Sequence, residues 1–93
     1  MANPMMYKGR PVVTDQRKLY YGEPYNPYII VLTVLETSKV QDLDVPARIL
    51  VQLQSTDPAL AMKNEKIIKE VERKNLYDAL EIGSIWLERQ LAD

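Results

Sequence analysis

The stretch from residue 28 to 37, Tyr-Ile-Ile-Val-Leu-Thr-Val-Leu-Glu-Thr, constrains the fold more than any other part of this chain. It is rich in β-branched side chains and apolar at both odd and even positions. As a strand it therefore offers water-avoiding groups to both faces, and such a strand is either covered on two sides or shielded by an oligomer. Residues 47–56 alternate instead. Ala47, Ile49, Val51 and Leu53 point one way, while Arg48, Leu50, Gln52 and Gln54 point the other. That is the pattern of a half-buried strand with one mostly polar face. The polar connection at 39–46 is short, which favours antiparallel pairing of the two.

Upstream, residues 11–14 and 18–21 are β-leaning pieces around Asp15-Gln16-Arg17 and predict a hairpin. Gly22-Glu23-Pro24-Tyr25-Asn26-Pro27 is a loop, because two prolines and a glycine remove helix and ladder options together. Residues 1–6 read as a frayed end.

Downstream, Asp57-Pro58 has the form of a helix start, with an acceptor for the first free amides and a proline where no donor is needed. Leu60, Ile67, Ile68 and Val71 then share a helical face, and Glu65/Lys69, Lys66/Glu70 and Glu70/Lys74 are spaced as four-residue ion pairs. A second apolar stripe, Leu76, Leu80, Gly83, Leu87 and Leu91, is rotated by roughly 110° from the first at about 100° per residue. A straight helix could not turn both stripes toward one core, and Asn75 stands at the phase break, suited to cap a helix. The expected fold class is α+β. An antiparallel sheet of three to four strands within 11–56 is followed by two C-terminal helices within 58–91, packed as two layers. The expected core is Ile30, Leu32, Val34, Ile49, Val51, Leu53, Ile67, Val71, Leu80 and Leu87.

At 93 residues, 46% apolar and 27% charged, the chain reads as a single globular domain, 1–93. A domain of this size buries only about 60% of its unfolded surface, so association with a second copy would add to a small stability surplus. The sequence contains neither histidine nor cysteine. This removes the usual general base near neutral pH, the commonest metal ligand and the thiolate nucleophile together. Carboxylates, lysines and tyrosines remain, and each would need a large pKa shift in a buried pocket. Asp42 and Asp44 lack the further oxygens and turn glycine of a calcium loop, and Gly9, Gly22 and Gly83 lie too far apart to cradle a phosphate. No catalytic residue, cofactor or metal is expected. The start of the chain lacks the apolar stretch of a secretory leader, and the longest apolar run is far short of a membrane span, so the expected setting is cytoplasmic.

Two surfaces invite function. Tyr7, Tyr20, Tyr21, Tyr25 and Tyr28 crowd the first third of the chain beside Lys8, Arg10, Arg17 and Lys18. Rings interleaved with cations suit single-stranded nucleic acid, with bases stacking and phosphates pairing. They equally suit a protein interface or a plain sheet. Net charge argues against nucleic acid as the main partner: 12 basic residues face 13 acidic ones, for −1 overall. The surface assigned to this role is Lys8, Arg10, Arg17, Lys18, Tyr20, Tyr21 and Tyr25. The second surface is the last helix. Its apolar residues sweep about half of the circumference, wider than contact with one sheet requires. Ala79 and Gly83 would let another backbone approach, with Ile82, Ile85 and Trp86 as anchors.

The functional expectation is a non-enzymatic protein-interaction or regulatory module acting as a homo-oligomer. The first alternative is an RNA- or single-stranded-DNA-binding protein using the Tyr/Arg-rich third. The second is a small accessory subunit of a larger enzyme.

Overall fold

The computed structural model describes residues 5–23, 25–60 and 62–92. Among them, six strands form one antiparallel sheet: β1 (Met5–Tyr7), β2 (Arg10–Asp15), β3 (Lys18–Tyr21), β4 (Tyr28–Val40), β5 (Leu43–Ser55) and β6 (Ile67–Arg73). Each strand pairs with its neighbours in sequence, so the order across the sheet is that of a meander. Two 3-10 turns, Pro58–Leu60 and Asn64–Lys66, connect β5 to β6. One helix, α1 (Leu76–Leu91), closes the chain and packs on one face of the sheet.

The class is α+β with an antiparallel sheet, as the sequence predicts, but the count differs. There are six strands rather than three or four, and one helix rather than two. Residues 67–73, expected as helix, form the edge strand β6, with Val71 opposite Val51 and Glu70 opposite Gln52. By spacing alone Leu60, Ile67, Ile68 and Val71 would serve a helix equally well, and the pairing with β5 decides for the strand. As a strand, Ile67-Ile68-Lys69-Glu70-Val71-Glu72-Arg73 carries three β-branched and four charged side chains, and charge is what an unpaired sheet edge tolerates. The four-residue ion pairs expected from the helical spacing therefore have no helix to carry them. Asp57 does place its Oδ1 3.0 Å from the Ala59 amide, but the turn it starts stops at Leu60.

The phase break at Asn75 marks a true boundary. Asn75 is extended (φ −141°, ψ 160°), and its side chain accepts from the Asp78 amide at 2.8 Å, capping α1. Of residues 1–6, expected as frayed, Met5 and Met6 belong to β1, and the preceding ones lie outside the described residues.

The core lies between the sheet and α1. Ile30, Leu32, Ile49, Val51, Leu53, Leu80 and Leu87 are buried in it as expected, with Val12, Leu19, Tyr21 and Ala79 added. Val34 and Val71 pack at its margin. Ile67 is half-buried beside the bulge where β6 leaves register with β5.

The connection expected at 39–46 is mostly strand. β4 and β5 run on to a two-residue turn at Gln41 and Asp42, whose φ values of 50° and 67° are those a I′ hairpin requires. β3 pairs with β4 only as far as Thr33, and β6 reaches β5 only as far as Ile49. Residues 35–48 therefore project as a two-stranded arm, bent by register shifts around Glu36. A thirteen-residue strand spans roughly 43 Å, and the molecule's long dimension is 43 Å. The hairpin sets the length of the protein.

Candidate functional site

Strand parity divides the residues that the sequence groups together. In β2 and β3, Arg10, Val12, Leu19 and Tyr21 face the helix, while Val13, Lys18 and Tyr20 face away. The expected Tyr/Arg surface is thereby distributed over both sides of the sheet and a loop.

On the helix side, the N-terminal members tie the β1–β2 hairpin to α1. Tyr7 donates to Glu81 Oε2 at 2.6 Å, and Lys8 Nζ lies 3.0 Å from the same carboxylate. Arg10 bridges Glu23 at 2.8 Å and Glu88 at 3.2 Å. The hydrogen bond to Glu81, then burial and the carboxylate's charge, push the Tyr7 hydroxyl up to about 12. The same hydrogen bond, with help from Lys8, holds the Glu81 carboxyl below its ordinary value. Burial works against the Arg10 charge, but hydrogen bonds to Glu88 and Glu23 outweigh it and leave its pKa above the ordinary value. Tyr21 is fully buried, meets Tyr7 edge-on at 5.9 Å, and has its pKa raised by burial.

This cluster contains a serine–lysine pair, with Lys8 Nζ 3.4 Å from Ser84 Oγ. A general base must accept the nucleophile's proton. Here Lys8 is a donor to Ser84 and is ion-paired to Glu81, while Ser84 gives its own proton to the Glu81 carbonyl at 2.8 Å. The arrangement fastens the hairpin to the helix and is not set up for nucleophilic attack. A hollow of about 540 Å³ at one end of α1, lined by Arg10, Asn26, Pro27, Tyr28, Gln90 and Leu91, has Arg10 as its cation, and that charge is already matched by two carboxylates. Among the described residues, no group of three or more acidic side chains is placed to hold a metal ion, and no helix is long and apolar enough to cross a membrane.

The helix residues expected at an interface also divide. Ala79 and Gly83 are buried against the chain's own sheet, where a Cβ on Gly83 would stand 2.8 Å from Ile30 Cγ2. The close approach their small size permits is made within the subunit. Ile82 and Trp86 are half-buried at the margin of the core, and Lys69 Nζ lies 5.9 Å above the Trp86 ring. Ile85 faces outward, 38% exposed. The wide apolar arc is explained by a helix lying over the middle strands with both of its flanks in contact.

The outer face of the sheet, opposite α1, presents side chains that the sequence does not group. Val13, Tyr20 and Val31 form a row across β2, β3 and β4, with Ile29 and Leu50 alongside. Val13 is 49% exposed, and Tyr20, Ile29 and Leu50 are half-buried. Two open depressions flank Tyr20. One of about 520 Å³ is lined by residues that include Arg17, Lys18 and Thr33, the other of about 270 Å³ by residues that include Ile29, Val31 and Gln54. Arg17, Lys18 and Tyr20 of the expected Tyr/Arg surface belong here, whereas Tyr25 is exposed on the loop before β4. The signal for this face is the double-sided apolar character of residues 28–37. The parity of β2 and β3 would have separated Tyr20 from Tyr21.

Comparison of the chain with protein-family models, with curated proteins and with solved structures finds no match.

Proposed function

We propose that this protein is a non-enzymatic interaction module that works as a homo-oligomer, associating through the outer face of its sheet. The observation that carries the reading is an imbalance in β4: the strand is apolar on both faces, and α1 covers one of them. On the other face Val13 is 49% exposed, and Tyr20, Ile29 and Leu50 are half-buried around Val31, itself 4% exposed, an apolar patch of the kind that supports association. The projecting arm adds exposed Val40, Leu43 and Val45 beyond it.

A nucleic-acid role draws less support. Lys8 and Arg10 are matched to Glu81, Glu23 and Glu88, and Tyr21 is buried. Glu70 and Glu72 share the outer face with Lys18 and would repel phosphate.

The test is sedimentation equilibrium of the wild-type chain and of Leu50→Glu. The expected result is a dimer for the first and a folded monomer, judged by circular dichroism, for the second. A wild-type chain that stays monomeric at tens of micromolar or above would remove the reading.

A further inference from the structure

The two edges of the projecting arm are unlike. Its closing turn has two residues, so the flanking Val40 and Leu43 exchange hydrogen bonds, and by alternation Ser38 does so with Val45. The backbone polar groups of the residues between, Thr37 and Lys39 on β4 and Asp44 and Pro46 on β5, therefore point out of the arm. Pro46 has no N–H, which fits its place opposite Thr37 and closes the β5 edge to another strand. The β4 edge has no such block, and residues 36–40 are all exposed. Elsewhere the described sheet ends in β1, three residues long, and in β6, with four charged side chains in seven. A two-stranded ribbon is marginal in water by itself, and a third strand on the open side would support it.

That open edge leads into a dead end. β3 occupies the same side of β4 as far as the bond from the Val34 amide to the Arg17 carbonyl, 2.8 Å. A strand added along residues 35–40, about 20 Å of edge, lies in line with β3 and meets the β2–β3 turn end-on. At the meeting point is the open depression of about 520 Å³, whose lining includes Arg17, Lys18, Val34 and Leu35. Neither Arg17 nor Lys18 has an ion-pair partner among the described residues. Together they outnumber Asp15, the one carboxylate among the described residues of that lining.

We infer that this edge is a docking site for the C-terminal segment of another protein, which adds to β4 as an antiparallel strand and sets its terminal carboxylate at Arg17 and Lys18. The inference goes beyond self-association and does not depend on it. An antiparallel strand here runs from the arm's tip toward the body, as β3 does, so the incoming chain reaches the β2–β3 turn with its C-terminus. A parallel strand would bring an amino terminus to the same two cations, and like charges oppose it. An internal segment would have to swerve off the edge at Arg17, whereas a chain end needs no way out. Thr37 and Lys39 offer the incoming backbone two amides and two carbonyls, which give affinity without reading sequence. The carboxylate supplies the selection, through charge-assisted bonds to Arg17 and Lys18.

The experiment presents the protein to two libraries of random hexapeptides, one with free C-terminal carboxylates and one with amidated ends. The best free-acid binders are then measured in solution by fluorescence anisotropy. Lys39→Pro removes an outward amide from the open edge. Asp44→Pro makes the same change directly across the arm on the closed edge, and breaks the same Lys39–Asp44 ion pair of 3.4 Å. Circular dichroism checks each fold, the pair Arg17→Ala with Lys18→Ala tests the carboxylate site without touching the arm, and Leu50→Glu separates peptide capture from self-association.

The expected result is binders from the free-acid library that lose roughly ten-fold or more on amidation, and as much in the Arg17→Ala, Lys18→Ala protein. Lys39→Pro should lose binding, while Asp44→Pro and Leu50→Glu bind as wild type does. A free-acid library without binders, amidated peptides that bind equally well, or equal loss in two folded proline variants overturns the inference. A wild-type oligomer that Lys39→Pro takes apart gives the edge to a second copy and overturns it as well. Peptide capture by a protein that is monomeric throughout removes the self-association reading and leaves this one standing.

Discussion

A Cβ atom at Gly83 would stand 2.8 Å from Cγ2 of Ile30 and 3.5 Å from its Cγ1, so the closest approach of helix to sheet is set by the missing side chain of one and the branch of the other. Ile30 is fully buried and its branched χ1 has little freedom to yield. Alanine in place of a mid-helix glycine ordinarily stabilises by about 1 kcal/mol through helix propensity. Overpacking a well-filled core costs about 1–3 kcal/mol.

The clash is expected to win. Gly83→Ala should lower stability by about 1 kcal/mol, a fall in Tm of about 4–8 °C in a domain of this size. Gly83→Val, whose branched side chain sets further atoms against Ile30, should lose more. Urea denaturation of the three proteins checks this, and a Gly83→Ala chain more stable than wild type would show that the helix can lift away from Ile30 without penalty.

The Tyr7–Glu81 bond gives the fold a dependence on pH at both ends of the scale. The Glu81 pKa is lower in the folded chain than in the unfolded one, so its contribution is present above the ordinary carboxylate range and is lost as pH falls through the folded value. The Tyr7 pKa is raised from 10.0 to about 12, so its contribution is present below 10 and disappears between 10 and about 12. Glu81→Gln should flatten the acid limb of a stability profile, and Tyr7→Phe should flatten the alkaline limb. Chemical denaturation across these ranges measures both, and parallel profiles for wild type and variants would contradict the assignment.

Gln41 and Asp42 both hold positive φ, at 50° and 67°. A left-handed conformation costs an ordinary L-residue about 1 kcal/mol or somewhat more, and glycine adopts it freely. Asp42→Gly should therefore stabilise the hairpin by about 1 kcal/mol, less whatever the Asp side chain contributes locally. The turn lies at the far end of the arm from Tyr20, so the dimer dissociation constant should not change with it. Thermal unfolding and sedimentation of this one variant read the two effects separately.

Those turn residues also explain part of what was legible in the sequence. A I′ turn is usually announced by Asn-Gly or Asp-Gly. Gln41-Asp42 carries no such mark, so two long strands read as two shorter ones and a loop. The strands themselves, the hairpin around Gln16 and the helix from Leu76 were visible because periodicity and Asn75 defined them. Residues 67–73 were not, because Leu60, Ile67, Ile68 and Val71 fit a helical face by spacing alone, and only the neighbouring β5 makes them a strand. For the surfaces, Tyr20 and Tyr21 are adjacent in the chain yet face opposite sides of the sheet, which proximity in sequence conceals. The apolar excess of the last helix was real, but its reason is the breadth of the sheet beneath it.

The meander has a consequence for how the chain reaches this state. Every strand pairing closes a loop between sequence neighbours, so the sheet can grow hairpin by hairpin at little entropic cost. The one long excursion is the return of the C-terminal segment, which must find Tyr7 across 74 positions to form its bond with Glu81. Because α1 follows β6 in the chain, the sheet face it covers is bare until the helix docks. The connectivity thus carries an order of assembly within it: neighbouring strands first, and the lid over Ile30, Leu32, Val51 and Leu53 only when α1 settles.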